Sequence, residues 1–266
     1  MLDERSSYAP TAGWPRPPAR PASVWPMAQT DGAATQLETL RGMVHAATQR
    51  LLGDTIAVGD EDWRAPSRLP GWSRGHVATH IARQADGMVR LTEWARSGQR
   101  QDMYASAEQR EADINAGAGR TGLELQIDLD TSAGRLDQAF DKLDDAAWDT
   151  IVELRSGTKV PARMLPLSRL LEVVIHHVDL DLGYTVDRIE NTTAEWLLEW
   201  CAFRVREREE FPRLDLSAES GFSISLGSAG EPIAVSGTSA NLLGWVMGRV
   251  DDSAVHGGQG LQRPPF

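Results

Sequence analysis

Apolar residues recur at helical spacing over five long stretches of this chain and alternate with polar ones only near its end. Over residues 35–53, Leu37, Leu40, Met43, Val44, Ala47 and Leu51 follow a 3.6-residue period, which predicts a first helix. The segment after it, GDEDWRAPSRLPGW, holds two prolines and several turn formers and reads as a loop, with Trp63 and Trp72 as packing anchors. A second helix is predicted over 73–97, with Ser73 as its N-cap and Gly98 as its stop. Val77, His80, Ile81, Met88, Leu91 and Ala95 share its apolar side, and Arg83 and Arg90 lean away. Residues 101–119 are polar and Ala-rich, predicting a short helix and a mobile connection. A third long helix is expected over 122–143, with Leu123, Leu125, Ile127, Leu136, Phe140 and Leu143 inward. Two extended segments, 150–153 and 157–161, turn at Ser156-Gly157. A fourth helix is expected over 165–184 and a fifth over 193–208, with Trp196, Leu197 and Trp200 in the core.

Beyond Pro212 the pattern changes. Residues 214–216, 222–226 and 233–236 read as short strands separated by Gly and Ser. Residues 239–249, SANLLGWVMGR, form a compact apolar helix opened by a Ser cap. The fold class expected is therefore mainly α: an up-down helical bundle over 31–212, then a small α/β domain over 213–266. Residues 1–30 hold six prolines and no apolar period, and are expected to be a disordered tail. Met27, where an ordinary composition resumes, is a candidate start.

Composition narrows the function. The net charge of -11 and pI near 5.0 argue against nucleic acid or an anionic membrane surface as partner. No apolar run reaches the roughly 18 residues of a membrane span. The single cysteine, Cys201, excludes an internal disulfide framework and a multi-cysteine zinc site, and fits a reducing cytoplasm. Flanked by Trp200 and Phe203, it reads as a packing thiol.

The chemistry concentrates in two stretches. In LLEVVIHHVDLDLGY (170–184), Glu172 and His176 lie four apart, on one face of a helix. In LPGWSRGHVATHIARQADGM (69–88), His76 and His80 have the same spacing. A carboxylate and imidazoles on buried helical stripes are costly unless offset. A divalent metal shared by His80, Glu172 and His176 would offset them and keep a fourth position open, as in catalytic zinc sites. The competing reading is a set of core histidines satisfied by polar neighbours. His177 is rotated about 100° from His176 and cannot face the same metal. His76, one turn before His80, could ligate instead, but the pattern favours a place nearer the helix mouth, hydrogen-bonded there. Asp179 could orient a ligand, but the pattern favours a solvated carboxylate at a helix end. Arg249 could bind a carboxylate in bidentate fashion, but the pattern favours a cation relieving a helix C-terminus.

The runs DWRAPSRLPGW, LPGWSRGHVATHIARQADGM, LEVVIHHVDLDLGY and LLGWVMGR, in that order, resemble the mycothiol-dependent maleylpyruvate isomerase family. The resemblance covers nearly everything from about residue 36 onward. It implies a DinB-like four-helix bundle followed by the family's small α/β domain. It implies zinc as the divalent metal, on His80, Glu172 and His176, and a catalytic role for Arg249, reaching the cleft from the second domain. The cosubstrate implied is mycothiol, a low-molecular-weight thiol, and the substrate a small molecule undergoing cis–trans isomerisation. A related outcome is a mycothiol S-transferase that leaves the thiol attached to an electrophile. A non-catalytic metal- or ligand-binding module is the third reading. A monomer is the default expectation. The proline-rich tail and Gln84, where the resemblance leads to Asn, depart from the family pattern, and both bear on which substrate is used.

Overall fold

The computed structural model describes residues 30–261, with side chains from residue 35. Apart from Thr30, the tail expected over residues 1–30 lies outside the described residues. Helix α1 (Thr30–Thr55) enters a compact unit that runs from Leu37. It is followed by α2 (Asp60–Arg64), α3 (Arg74–Ser97), α4 (Ala107–Ala118), α5 (Gly122–Phe140) and α6 (Asp145–Asp149). The hairpin β1 (Ile151–Glu153) and β2 (Lys159–Pro161) leads into α7 (Leu165–Asp179) and α8 (Asn191–Val205). Strands β3 (Pro212–Ala218), β4 (Ser223–Leu226) and β5 (Ala229–Gly237) and helix α9 (Ser239–Val246) complete the order. The protein is thus mainly helical with a small sheet towards its C-terminus. No described helix is long and apolar enough to cross a membrane.

Helix α3 forms where its signals predicted. The Ser73 hydroxyl accepts from the His76 amide, the His76 ring returns the contact to the Ser73 amide, and Gly98 ends the helix at φ 72°. Its apolar stripe is the centre of the bundle. One core cluster joins Leu51 of α1, Trp63 of α2, Val77, Ala78 and Ile81 of α3, Leu125 and Leu129 of α5, and Val173 of α7. Gly75 lets α3 approach the end of α4: a Cβ there would stand 2.2 Å from the Ala118 carbonyl oxygen. The loop carrying Trp63 is not wholly irregular. Asp60–Arg64 coil into α2, driving Trp63 to 1% exposure.

Several expectations are corrected. Leu123 and Ile127 are 71% and 52% exposed, because the core stripe of α5 runs through Leu125, Leu129, Leu136 and Phe140. Residues two positions off that stripe lie about 200° around the helix. Helix α7 ends at Asp179 rather than at 184. Leu180 still donates to the His176 carbonyl, but Asp181 (φ 55°) and Gly183 (φ 90°) adopt left-handed backbone that stops the turn. Helix α9 is capped by Thr238, whose hydroxyl accepts from the Asn241 amide, and Ser239 is already inside it.

In the C-terminal sheet β3 lies between β4, antiparallel to it, and β5, parallel to it. The link from β4 to β5 is only Gly227 and Ser228. It must therefore pass under the start of β3, where Ser228 and Ala229 both donate to the Phe211 carbonyl. Gly227 makes this crossing possible. Its φ is +65°, and a Cβ would meet the Pro212 and Phe211 carbonyl oxygens at 2.3 and 2.6 Å. Gly227→Ala is expected to lower the thermal midpoint by several degrees, a loss of about 2 kcal/mol or more. Gly221→Ala, at φ +90° with nothing near its Cβ, should cost less. Equal midpoints for the two variants would contradict this account of the crossing.

Candidate metal centre and its cavity

Helices α3 and α7 pack side by side, and their apolar stripes carry the predicted polar residues to one point. His80 Nε2 lies 3.1 Å from Glu172 Oε2 and 3.1 Å from His176 Nε2. His176 Nε2 lies 3.3 Å from the same carboxylate oxygen. Two clamps set the register of the helices: the Arg68 amide donates to the Asp179 carbonyl, and Arg74 Nε donates to the Leu180 carbonyl at 2.7 Å.

Each imidazole is held from behind. His176 Nδ1 lies 2.9 Å from Asp179 Oδ2, which keeps a proton on Nδ1 and turns Nε2 to the cluster. Asp179 is fully buried, at 0% exposure, so the expectation of a solvated helix-end carboxylate is corrected. Its second partner is Arg249, whose Nε and Nη2 donate to Oδ1 and Oδ2 at 2.9 and 2.7 Å. Arg249 Nη1 donates to the Met247 carbonyl. Arg249 therefore reaches the centre through Asp179 and His176. On the other side, Arg110 Nη2 lies 3.1 Å from His80 Nδ1.

The charges follow from these contacts. Burial opposes charge on His176, but its bonds to Asp179 and Glu172 prevail and raise its pKa to about 9. His80, nearly enclosed, is pushed down to about 4 by burial, against the pull of Glu172. Burial would raise Glu172, yet the two imidazoles hold it well below the ordinary carboxylate range. The cluster thus holds a carboxylate with two imidazoles, one cationic and one neutral at neutral pH.

His76 and His177 stay outside. His76 is spent on the cap of α3. His177 stacks on Tyr184 at 4.0 Å and places Nε2 3.2 Å from Asp54.

The three residues open onto a cavity of about 590 Å³. Arg110, Arg155, Arg204 and Arg249 line it, and Glu172 is its sole carboxylate among the described residues. A second cavity of about 500 Å³ shares Met103, Tyr104, Arg110, Leu154 and Arg155 with it and adds Trp72, which stands edge-on to His80. Arg110, Arg155 and Arg204 had no periodic or motif signal. Arg110 lies on α4, a weakly patterned helix, and Arg155 in the β1–β2 turn; nothing local marks either as facing His80 or the cavity.

The donor set suits a divalent cation. One carboxylate and two ring nitrogens offer ligand atoms all within 4.8 Å of one another. Residues 44–181 match the mycothiol maleylpyruvate isomerase N-terminal domain, a stretch that includes His80, Glu172 and His176. The chain belongs to the mycothiol-dependent maleylpyruvate isomerase family. Two solved structures agree along most of the chain. The mycothiol-dependent maleylpyruvate isomerase is 27% identical, with a TM-score of 0.78 over 86% of this chain and 97% of that one. A histidine-to-alanine variant of that isomerase is 26% identical, with the same TM-score and coverage. No curated protein gives a significant match.

A family that depends on an external thiol fits the one thiol this chain owns. Cys201 is 0% exposed, its Sγ points at the Met247 sulfur at 3.9 Å, and burial pushes its pKa up to about 12. A thiol so protonated is a poor nucleophile. Native protein at pH 8 is expected to resist iodoacetamide for hours, and denatured protein to take up one equivalent, as read by intact mass. Rapid labelling of the folded protein would refute the assignment.

Proposed function

We propose that the chain is a zinc- and mycothiol-dependent cis–trans isomerase of the maleylpyruvate type. What carries this reading is the convergence of His80, Glu172 and His176 on one point of a cavity otherwise charged by four arginines. A divalent cation would be held by His80 Nε2, His176 Nε2 and the Glu172 carboxylate, leaving a further position open, the pattern of catalytic rather than structural zinc. When bound, it supplies the positive charge that lowers the pKa of a thiol presented to it.

The protein's own groups do the rest. The arginine-lined cavity selects a small dianionic substrate and holds it by charge-assisted hydrogen bonds. The mycothiol thiolate adds to the activated carbon–carbon double bond of a cis-enedioate. The π electrons move onto the adjacent carbonyl as an enolate, whose negative charge the arginines face. The former double bond, now single, rotates. The enolate collapses, the double bond re-forms in the trans geometry, and the thiolate departs unchanged. Asp179 holds His176 in the ligating tautomer, and Arg249, bound to Asp179, positions that pair and adds its charge to the cavity wall.

The direct test incubates metal-loaded protein with mycothiol and maleylpyruvate and follows both the cis isomer and the free thiol. Loss of the cis isomer with thiol regenerated is expected. A stable conjugate with thiol consumed would make the chain an S-transferase, and bound metal without turnover would make it a binding module. His80→Ala should bring metal content to background by elemental analysis and abolish turnover. Asp179→Asn is expected to weaken metal about 10- to 100-fold in chelator competition. Arg249→Ala should retain metal but turn over more slowly; full activity there would refute its role.

A further inference from the structure

Gln84 lies one turn beyond His80 on α3, is only 3% exposed, and lines the cavity. Its orientation is decided by a neighbour. Arg169 Nη1 donates to Gln84 Oε1 at 2.7 Å and to the Ile81 carbonyl at 2.7 Å. An arginine has no acceptor, so the amide must present its oxygen to Arg169 and its NH₂ the other way. Arg169 is itself 1% exposed and no carboxylate pairs with it among the described residues. Burial lowers its pKa only to about 10, so it is a cation at neutral pH and its demand for an acceptor is constant. No acceptor among the described residues bonds Gln84 Nε2, and that atom is not sealed from the cavity. The result is a locked amide donor beside His80, in a space already lined by four arginines and poor in acceptors.

We propose that Gln84 is a specificity-determining residue whose Nε2 donates a hydrogen bond to a carboxylate oxygen of the small anionic substrate. The proposal rests on reading the cavity as the substrate site. Arg169 is the positioning residue: it touches no substrate and acts by forbidding the amide flip. A buried charge held by a neutral amide is a poor arrangement for stability alone, since a glutamate at 84 would pair with it better. The glutamine keeps what a glutamate lacks, a donor on its far side.

The test is calorimetric binding of maleate, used as the probe, to metal-loaded wild type, Gln84→Glu and Gln84→Met, with thermal midpoint and metal content read on the same samples. Gln84→Glu should bind maleate at least about 100-fold more weakly, because two acceptor oxygens replace the donor, while its midpoint stays the same or rises through the new pair with Arg169. Gln84→Met should lose about 10- to 100-fold in affinity, as expected for a missing bond to a charged group, and its midpoint should fall because Arg169 loses its acceptor. A purely structural glutamine would move the midpoints and leave the affinities alone. Maleate affinity within twofold of wild type in both variants overturns the proposal. So does loss of metal alongside affinity in both, which would make Gln84 a support for His80. Wild type that does not bind maleate at millimolar concentration also overturns it. If wild type binds maleate yet shows no thiol-dependent turnover, the isomerase reading fails and the Gln84 proposal is decided by the variants' affinities.

Discussion

Asp179 is the carboxylate on which the site depends. It is fully buried, and a buried charge survives only if both of its oxygens are answered. His176 answers from one turn earlier on α7, and Arg249 from just after α9. One group thus ties the last helix to the bundle and sets the tautomer of an imidazole in the cluster. Removing either partner would leave the carboxylate only partly compensated in a dry interior. Metal-type geometry and C-terminal packing are therefore parts of one network.

The second constraint is the contrast between the surface and the cavity. The protein carries a net charge of -11, yet the cavity wall has four arginines against one carboxylate. Low-dielectric walls concentrate such a field, drawing small anions in while the acidic exterior repels polyanions. The arginines come from α4, the β1–β2 turn, α8 and the segment after α9, so the field is assembled from separate parts of the chain. The glycines at 75 and 227 serve the same assembly by allowing backbone to pass close to backbone where a Cβ would collide.

Periodicity located the long helices because burial along a regular helix repeats every three to four residues. Ser73 and Gly98 marked the ends of α3 because capping is local chemistry. The pattern misjudged Leu123 and Ile127, since an apolar residue on an exposed face looks the same in sequence as one in the core. It ran α7 past Asp179, since the left-handed backbone at Asp181 has no unique residue signature. It undervalued Asp179, whose partner Arg249 is 70 residues away.

By itself, the sequence determined that the chain is mainly helical, that His80, Glu172 and His176 each sit on a buried helical stripe, and that no accessible thiol is supplied from within. These are properties of spacing and composition, which act within a few residues. Only the tertiary structure decided that α3 and α7 lie side by side, that Arg110, Arg155 and Arg204 join the cavity wall, and that Arg169 locks the amide of Gln84. Those outcomes are contacts between residues far apart along the chain, and their partners are chosen by packing of the whole unit rather than by any local pattern.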